Sequence, residues 1–212
     1  MTAKILTVAQ QKGGAGKTTL AAHLAVAFTA QNKSVAMVDI DPQQSLTTWY
    51  RLREQRFGDA GAGLLVNSIK GWRVQNEVRR LAPEYDVVIV DSAPHAETEA
   101  IFAVRDANLV IVPVQPSPMD VWATLPTLEL AARNKVPALV VLNRVLPRAN
   151  LTEEMVDELR ALHAGVARTT IGNRVLFAGA LSEGRAVGEV KPRSLAAQEI
   201  GALAKEIWRR AK

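Results

Sequence analysis

The chain has 212 residues, 48% of them hydrophobic, a formal charge of +5 and no cysteine. That length suits one compact domain over residues 1–212 with a core of its own. The missing cysteines exclude disulfides and cysteine-ligated zinc or iron-sulfur centres, and they fit a reducing compartment.

The first apolar run, Ile5 to Ala9, is too short for the core of a secretion signal. The longest, Leu20 to Phe28, contains His23 and falls well below the ~20 residues needed to cross a bilayer. A cytoplasmic protein is expected. Further apolar runs follow at Val35 to Val38, Val87 to Val90, Leu109 to Val112 and Leu139 to Leu142. Runs without polar alternation indicate strands covered on both faces. Their alternation with helical segments predicts an α/β fold with a mostly parallel central sheet and helices on both faces.

Between the first run and the first helix lies QQKGGAGKTT, Gln10 to Thr19. It nearly fits the phosphate-cradling pattern G-x-x-x-x-G-K-[ST], with Gly16, Lys17 and Thr18 in register. Gln11 stands where the opening glycine belongs, and a second lysine, Lys12, lies inside the loop. A strand on one side and a helix on the other, with Leu20, Leu24, Ala27 and Phe28 on one stripe, is the context a true phosphate loop requires. Backbone N–H groups of Gly13, Gly14, Ala15, Gly16 and Lys17 would converge on a β-phosphate at the positive end of that helix. Lys17 would bridge β- and γ-oxygens, and Thr18, followed by Thr19, would bring its hydroxyl to Mg²⁺.

The second run ends in VDIDPQ, where Asp39 and Asp41 alternate on one side of the emerging strand and Pro42 stops it. Asp41 is the candidate for holding the attacking water and the metal, with Asp39 in support. Polar strand termini are the competing reading. GDAGAG, residues 58–63, is expected to be a surface turn. The third run closes on Asp91, a candidate direct or water-mediated Mg²⁺ ligand. His23, His95 and His163 lack metal-ligand spacing, although His95 lies close after Asp91. Asn143, at the end of VVLN, is either a nucleobase contact or a turn residue.

Charge is unevenly distributed. Residues 1–167 balance, whereas the last 45 carry nine basic and four acidic side chains. Such asymmetry points to a polyanion, nucleic acid or anionic membrane, or else to a solvated helix face. The final segment, Ser194 to Arg210, has only a moderate apolar side built from Leu195, Leu203, Ile207 and Trp208, so it is expected to pack on the sheet rather than enter a membrane surface.

KGGAGKTT, VDIDPQ and DVVIVDSAP together resemble the ParA/MinD group of deviant Walker A P-loop ATPases, whose pattern is K-G-G-x-x-K-[ST]. The likeness runs through VPVQPSPMDVWAT, VVLNRV and the segment from Leu181 to Ile207, which is similar to small ParF-like ParA proteins lacking an N-terminal DNA-reading domain. The resemblance implies ATP and Mg²⁺ as ligands and an ATP-bound homodimer in which Lys12 crosses to the partner's phosphates. It also implies slow hydrolysis stimulated by a ParB-like or adaptor protein, and Asn143 against adenine. Binding to nonspecific DNA would place the protein on the nucleoid, through Arg193 and Arg174, then Lys205, Arg209 and Arg210. A cation supplied by the partner would offset phosphate repulsion and make dimerisation depend on ATP. A MinD-like membrane-associated ATPase and a metabolic P-loop enzyme are the alternatives.

Overall fold

The structure is a computed structural model that describes residues 3–58, 63–94, 97–147, 150–162 and 165–211. In chain order its elements are β1 (Lys4–Val8), α1 (Lys17–Thr29), β2 (Val35–Asp39), α2 (Ser45–Phe57) and β3 (Leu65–Ser68). A 3₁₀ turn (Gly71–Arg73) leads into α3 (Val74–Leu81), β4 (Val87–Asp91), α4 (Glu97–Arg105), β5 (Leu109–Val114), α5 (Pro118–Trp122) and α6 (Leu125–Arg133). The chain continues through β6 (Ala138–Leu142), α7 (Asn150–Ala161), β7 (Gly165–Val166), α8 (Val175–Leu181), α9 (Val187–Val190) and α10 (Leu195–Arg210).

The strands form one sheet in the order β3-β2-β4-β1-β5-β6-β7, and every pairing is parallel. The pleat sends alternate residues to opposite faces. Val87 and Ile89 join the core under α1, α2, α8, α9 and α10, whereas Val88 and Val90 join the core under α3 and α4. Val110, Val112 and Val140 lie on the latter side of the sheet and pack with α5, α6 and α7. Burial on both faces explains why the strands show no polar alternation.

The five apolar runs emerge as β1, β2, β4, β5 and β6, shifted by no more than a residue or two. α1 is more deeply enclosed than a one-sided stripe implies: Leu20, Ala21, Ala22, His23, Leu24, Ala25, Val26 and Phe28 are all buried. The reason is α10, which lies over α1 and buries Ile200, Leu203 and Ile207 in the same core. Leu195, assigned by spacing to that apolar side, is instead 61% exposed. Trp208 is half-buried against Phe28, with the ammonium groups of Lys4 and Lys33 over its ring. Residues 59–62 of the expected surface turn, together with His95 and His163, lie outside the described residues. Among those that are described, no helix is long and apolar enough to cross a membrane.

α2 is fastened to α9 and to the segment leading into it. The buried Arg53 forms a two-pronged ion pair with Glu189 at 2.7 and 2.8 Å, and Trp49 Nε1 donates to the Arg185 carbonyl at 3.3 Å. Gly184 makes the close approach feasible. Its φ is +66°, and a Cβ there would lie 2.4 Å from the Arg53 backbone nitrogen.

Candidate functional site

β1 lies between β4 and β5, so the chain leaves its C-terminal end at the point where later strands are added on the other side. In open parallel sheets such a point opens a crevice for ligands. The loop after β1 fills its mouth. Gly14 and Gly16 have φ of +76° and +90°, a region that L side chains adopt only at a cost. α1 then begins with no side-chain cap and no acidic residue in its first turn. Its first N–H groups are left for an anion, in the direction the helix dipole favours.

Lys17 is buried, and its ammonium donates to the carbonyl oxygens of Gln10 at 2.9 Å and Lys12 at 3.4 Å. Burial lowers its pKa, while the negative charges of Asp91 and Asp41 act in the other direction. Asp91 ends β4 level with Asp39 at the end of β2. It is fully enclosed, and neither carboxylate oxygen makes a well-formed hydrogen bond among the described residues. Burial pushes its pKa up to about 7; the neighbouring Thr18 hydroxyl and Lys17 ammonium pull it down, and Asp39 and Asp41 add to the rise.

The two acids after β2 differ in their contacts. Asp39 is well supplied with donors: it accepts from the Asp41 N–H at 3.1 Å, the Thr47 N–H at 2.9 Å and the Thr47 hydroxyl at 2.7 Å. It thereby holds the start of α2. Among the described residues the partly exposed Asp41 carboxylate accepts only from the Gln43 N–H at 2.9 Å, and it is close enough to Lys17 and Asp91 to affect both electrostatically. Hence the structure brings together Lys17, Thr18, Asp91 and Asp41, and directs Asp39 toward architecture.

Lys12 lies at the rim with its side chain 39% exposed, and its ammonium pairs with Asp120 at 2.8 Å. Asp120 sits in the first turn of α5, where the Ser117 hydroxyl also donates to it and Ser117 caps the helix. Sequence reasoning missed this acid. Ser117-Pro118 signals a helix start, but nothing local ties Asp120 to a lysine 108 residues away.

Asn143 follows β6 and is buried. Its Nδ2 donates to the Ala15 carbonyl at 2.8 Å and its Oδ1 accepts from the Arg144 N–H at 3.0 Å. Beside it opens a cavity of about 290 Å³, walled by Gly16, Thr19, Arg144, Asn173 and Val175 and reaching His23. Arg144 has a φ of +56°.

The basic residues nominated near the C-terminus divide into two sets. Arg174 is paired with Glu199 at 2.5 Å, and Arg210 with Glu206 at 2.9 Å. Arg193, Lys205 and Arg209 are exposed and make no ion pair among the described residues, as do Lys191 and Arg168, which sequence reasoning did not nominate.

A glycine loop between a central parallel strand and a buried helix, with a lysine and acids at the neighbouring strand ends, defines a P-loop nucleotide hydrolase fold. Residues 6–187 match the CobQ/CobB/MinD/ParA nucleotide binding domain, and the chain belongs to that family of P-loop ATPases. Maintenance of carboxysome distribution protein A of Halothiobacillus neapolitanus is 32% identical over 209 residues, 95% of each chain. The chromosome-partitioning ATPase Soj of Thermus thermophilus is 30% identical over 97% of this chain and 95% of its own. In fold, the cell division ATPase MinD of Pyrococcus furiosus superposes with a TM-score of 0.81 at 20% identity, covering 97% of this chain and 98% of that one. Apo McdA of Cyanothece gives 0.80 at 19% identity over 97% and 99%.

The family implies ATP with Mg²⁺, and the residues present fit that ion. The Asp91 carboxylate is buried, makes no well-formed hydrogen bond among the described residues, and stands beside the Thr18 hydroxyl and Asp41. That is a small, hard, all-oxygen donor set of the kind Mg²⁺ occupies while keeping several waters.

Proposed function

We propose that the chain is a ParA-type positioning ATPase. It dimerises on ATP, binds DNA without sequence preference, and releases it after slow, partner-stimulated hydrolysis, so that a cargo is moved or spaced. In this reading the loop N–H groups and Lys17 hold the triphosphate, Thr18 and Asp91 hold Mg²⁺, and Asp41 orients the attacking water. Bound Mg²⁺ supplies neutralisation of charge on the phosphate oxygens. Lys12 leaves Asp120 and reaches across to the phosphates of a second copy.

The observation that carries the proposal is Lys12. It stands on the phosphate loop itself, partly exposed, and among the described residues its one ion pair is to Asp120 on another element. A lysine committed to its own subunit's phosphates would be buried, as Lys17 is. The exposed Arg168, Lys191, Arg193, Lys205 and Arg209 support the DNA half of the reading, because backbone contacts need cations free of acidic partners. Doubling a weak cationic surface by dimerisation converts it into useful binding. α10 places its apolar residues on α1, which disfavours the membrane alternative. The names of the relatives support a positioned cargo, either a protein compartment or a chromosome.

The test is DNA and liposome co-sedimentation with ATP, ADP and no nucleotide, beside Lys12→Ala. DNA retention confined to ATP and lost in Lys12→Ala is the expected result. Liposome binding without DNA binding, or a variant that still dimerises and holds DNA, defeats the proposal.

A further inference from the structure

A second cavity, of about 320 Å³, opens between α1 and the α9–α10 segment. It shares His23 and Ile200 with the cavity beside the glycine loop, but Gly16, Thr19 and Asn143 take no part in it. The sequence of α10 creates the space. Ala197, Gly201 and Lys205 follow one another at four-residue intervals and so share one stripe of the helix, and Ala27 meets the same cavity from α1. Elsewhere α10 closes on α1 through Ile200, Leu203 and Ile207; along this stripe Ala197 and Gly201 are too small to fill the gap. A Cβ added at Gly201, or at Gly188 in α9, would meet no atom within 4 Å.

The walls are apolar apart from His23, Gln31, Glu189 and Lys205. Two of these are committed: Glu189 is neutralised by the two-pronged pair with Arg53 and accepts from the Ala186 N–H at 2.8 Å, and His23 accepts from the Val187 N–H at 3.3 Å. Gln31 and Lys205 remain. Among the described residues the Gln31 side-chain amide makes no hydrogen bond and the exposed Lys205 ammonium no ion pair. An apolar cleft with an ammonium and an amide N–H to spare matches a molecule with a hydrocarbon body and one carboxylate. Burial of the chain drives entry, and the carboxylate takes the ion pair and the N–H bond. From Ala197 to Lys205 the stripe covers a little over two helical turns, about 12 Å, room for an extended chain of about eight carbons.

We infer that the cavity between α1 and α10 is a binding site for a medium-chain aliphatic carboxylate, with the chain over Ala27, Ala197 and Gly201 and the carboxylate on Lys205 and Gln31. Bound there, the ligand occupies Lys205, one of the cations assigned above to DNA, so the two compete for that charge. The site itself stands without that assignment.

The experiment titrates the full chain with sodium octanoate and follows the backbone amide NMR signals of Gly188 and Gly201, with hexanoate and octylammonium as controls. The expected result is a saturable shift of both signals by octanoate, binding of hexanoate weaker by roughly tenfold for two fewer methylenes, and no shift with octylammonium. Gly201→Leu fills the cavity at a helical position where leucine is favoured over glycine, and it should abolish the octanoate shift at Gly188. Lys205→Gln, at an exposed position where the fold is not at stake, should weaken octanoate by roughly two- to fivefold. A wild type whose signals do not saturate, or that responds equally to octylammonium, overturns the inference. So does a Gly201→Leu variant that binds octanoate as the wild type does.

Discussion

The crevice above β1 and the last 45 residues are both rich in charge, yet they handle it in opposite ways. In the crevice Lys17 and Asp91 are buried with carbonyl partners or none, and Asp41 is almost unpaired. In the C-terminal segment every acid has a cation: Glu183 with Arg56 and Arg185, Glu189 with Arg53, Glu199 with Arg174 and Glu206 with Arg210. Enclosed, unsatisfied charge is costly and persists where the surrounding fold enforces it, which is how a ligand site is recognised. Paired acids leave the cations that remain fully available at the surface. Hence net charge alone is a poor guide to an anion-binding face, and the subset without acidic neighbours is the better one.

The largest expected effect tests the enclosed side of that contrast. Lys17→Ala should lower ATP turnover roughly 100- to 1000-fold, as removal of a preorganised transition-state contact does, in a steady-state phosphate-release assay. A variant within threefold of wild type would mean that the buried ammonium is structural.

Next comes the buried neutral group between the two regions. His23 accepts from the Val187 N–H at 3.3 Å, packs edge-on to Phe177, and has no well-formed hydrogen bond at Nε2 among the described residues. Burial lowers its pKa to about 4, with the Phe177 backbone and the charge of Glu189 acting weakly in the opposite sense. Because the folded value lies below the unfolded ~6.5, His23 favours the folded state fully above pH 6.5. That advantage is lost as pH falls toward 4, up to roughly 3 kcal/mol. Denaturant midpoints measured between pH 7 and 4 should fall more steeply for wild type than for His23→Asn; equal slopes would show that His23 is not held neutral.

The smallest effects sharpen the surface side. Arg193→Ala and Lys191→Ala should each reduce the salt slope of DNA binding by about 0.9, whereas Arg174→Ala, whose guanidinium is already neutralised by Glu199, should change it less. An equal reduction in Arg174→Ala would erase the distinction between paired and free cations.

Local pattern carried much of the fold. β1, β2, β4, β5 and β6 are continuous apolar runs because both their faces are covered, and the glycine loop is legible because its N–H groups need both glycines and the helix that follows. β3 was not apparent: it is the edge strand, its four residues LVNS are at most half-buried, and Asn67 faces Glu77 instead of a core. The two-residue β7 has too little sequence to show a period. Within the site, Asp91 and Asp41 stand out as acids at strand ends. The bonding of Asp39 to Thr47 depends on how the loop into α2 turns, and the pairing of Lys12 with Asp120 and the hold of Asn143 on Ala15 depend on chain segments that only the tertiary fold brings together.

The position of β1 has a consequence for the growing polypeptide. The strand bearing the glycine loop is made before both of its flanking neighbours, which begin at Val87 and Leu109, and before the amide that bonds to the loop, residue 143. Parallel pairing across such separations is slow and exposes unpaired strand edges while it waits. Until those segments have been made, β1 has neither of its sheet neighbours, and the glycine loop lacks the support that the folded sheet gives it.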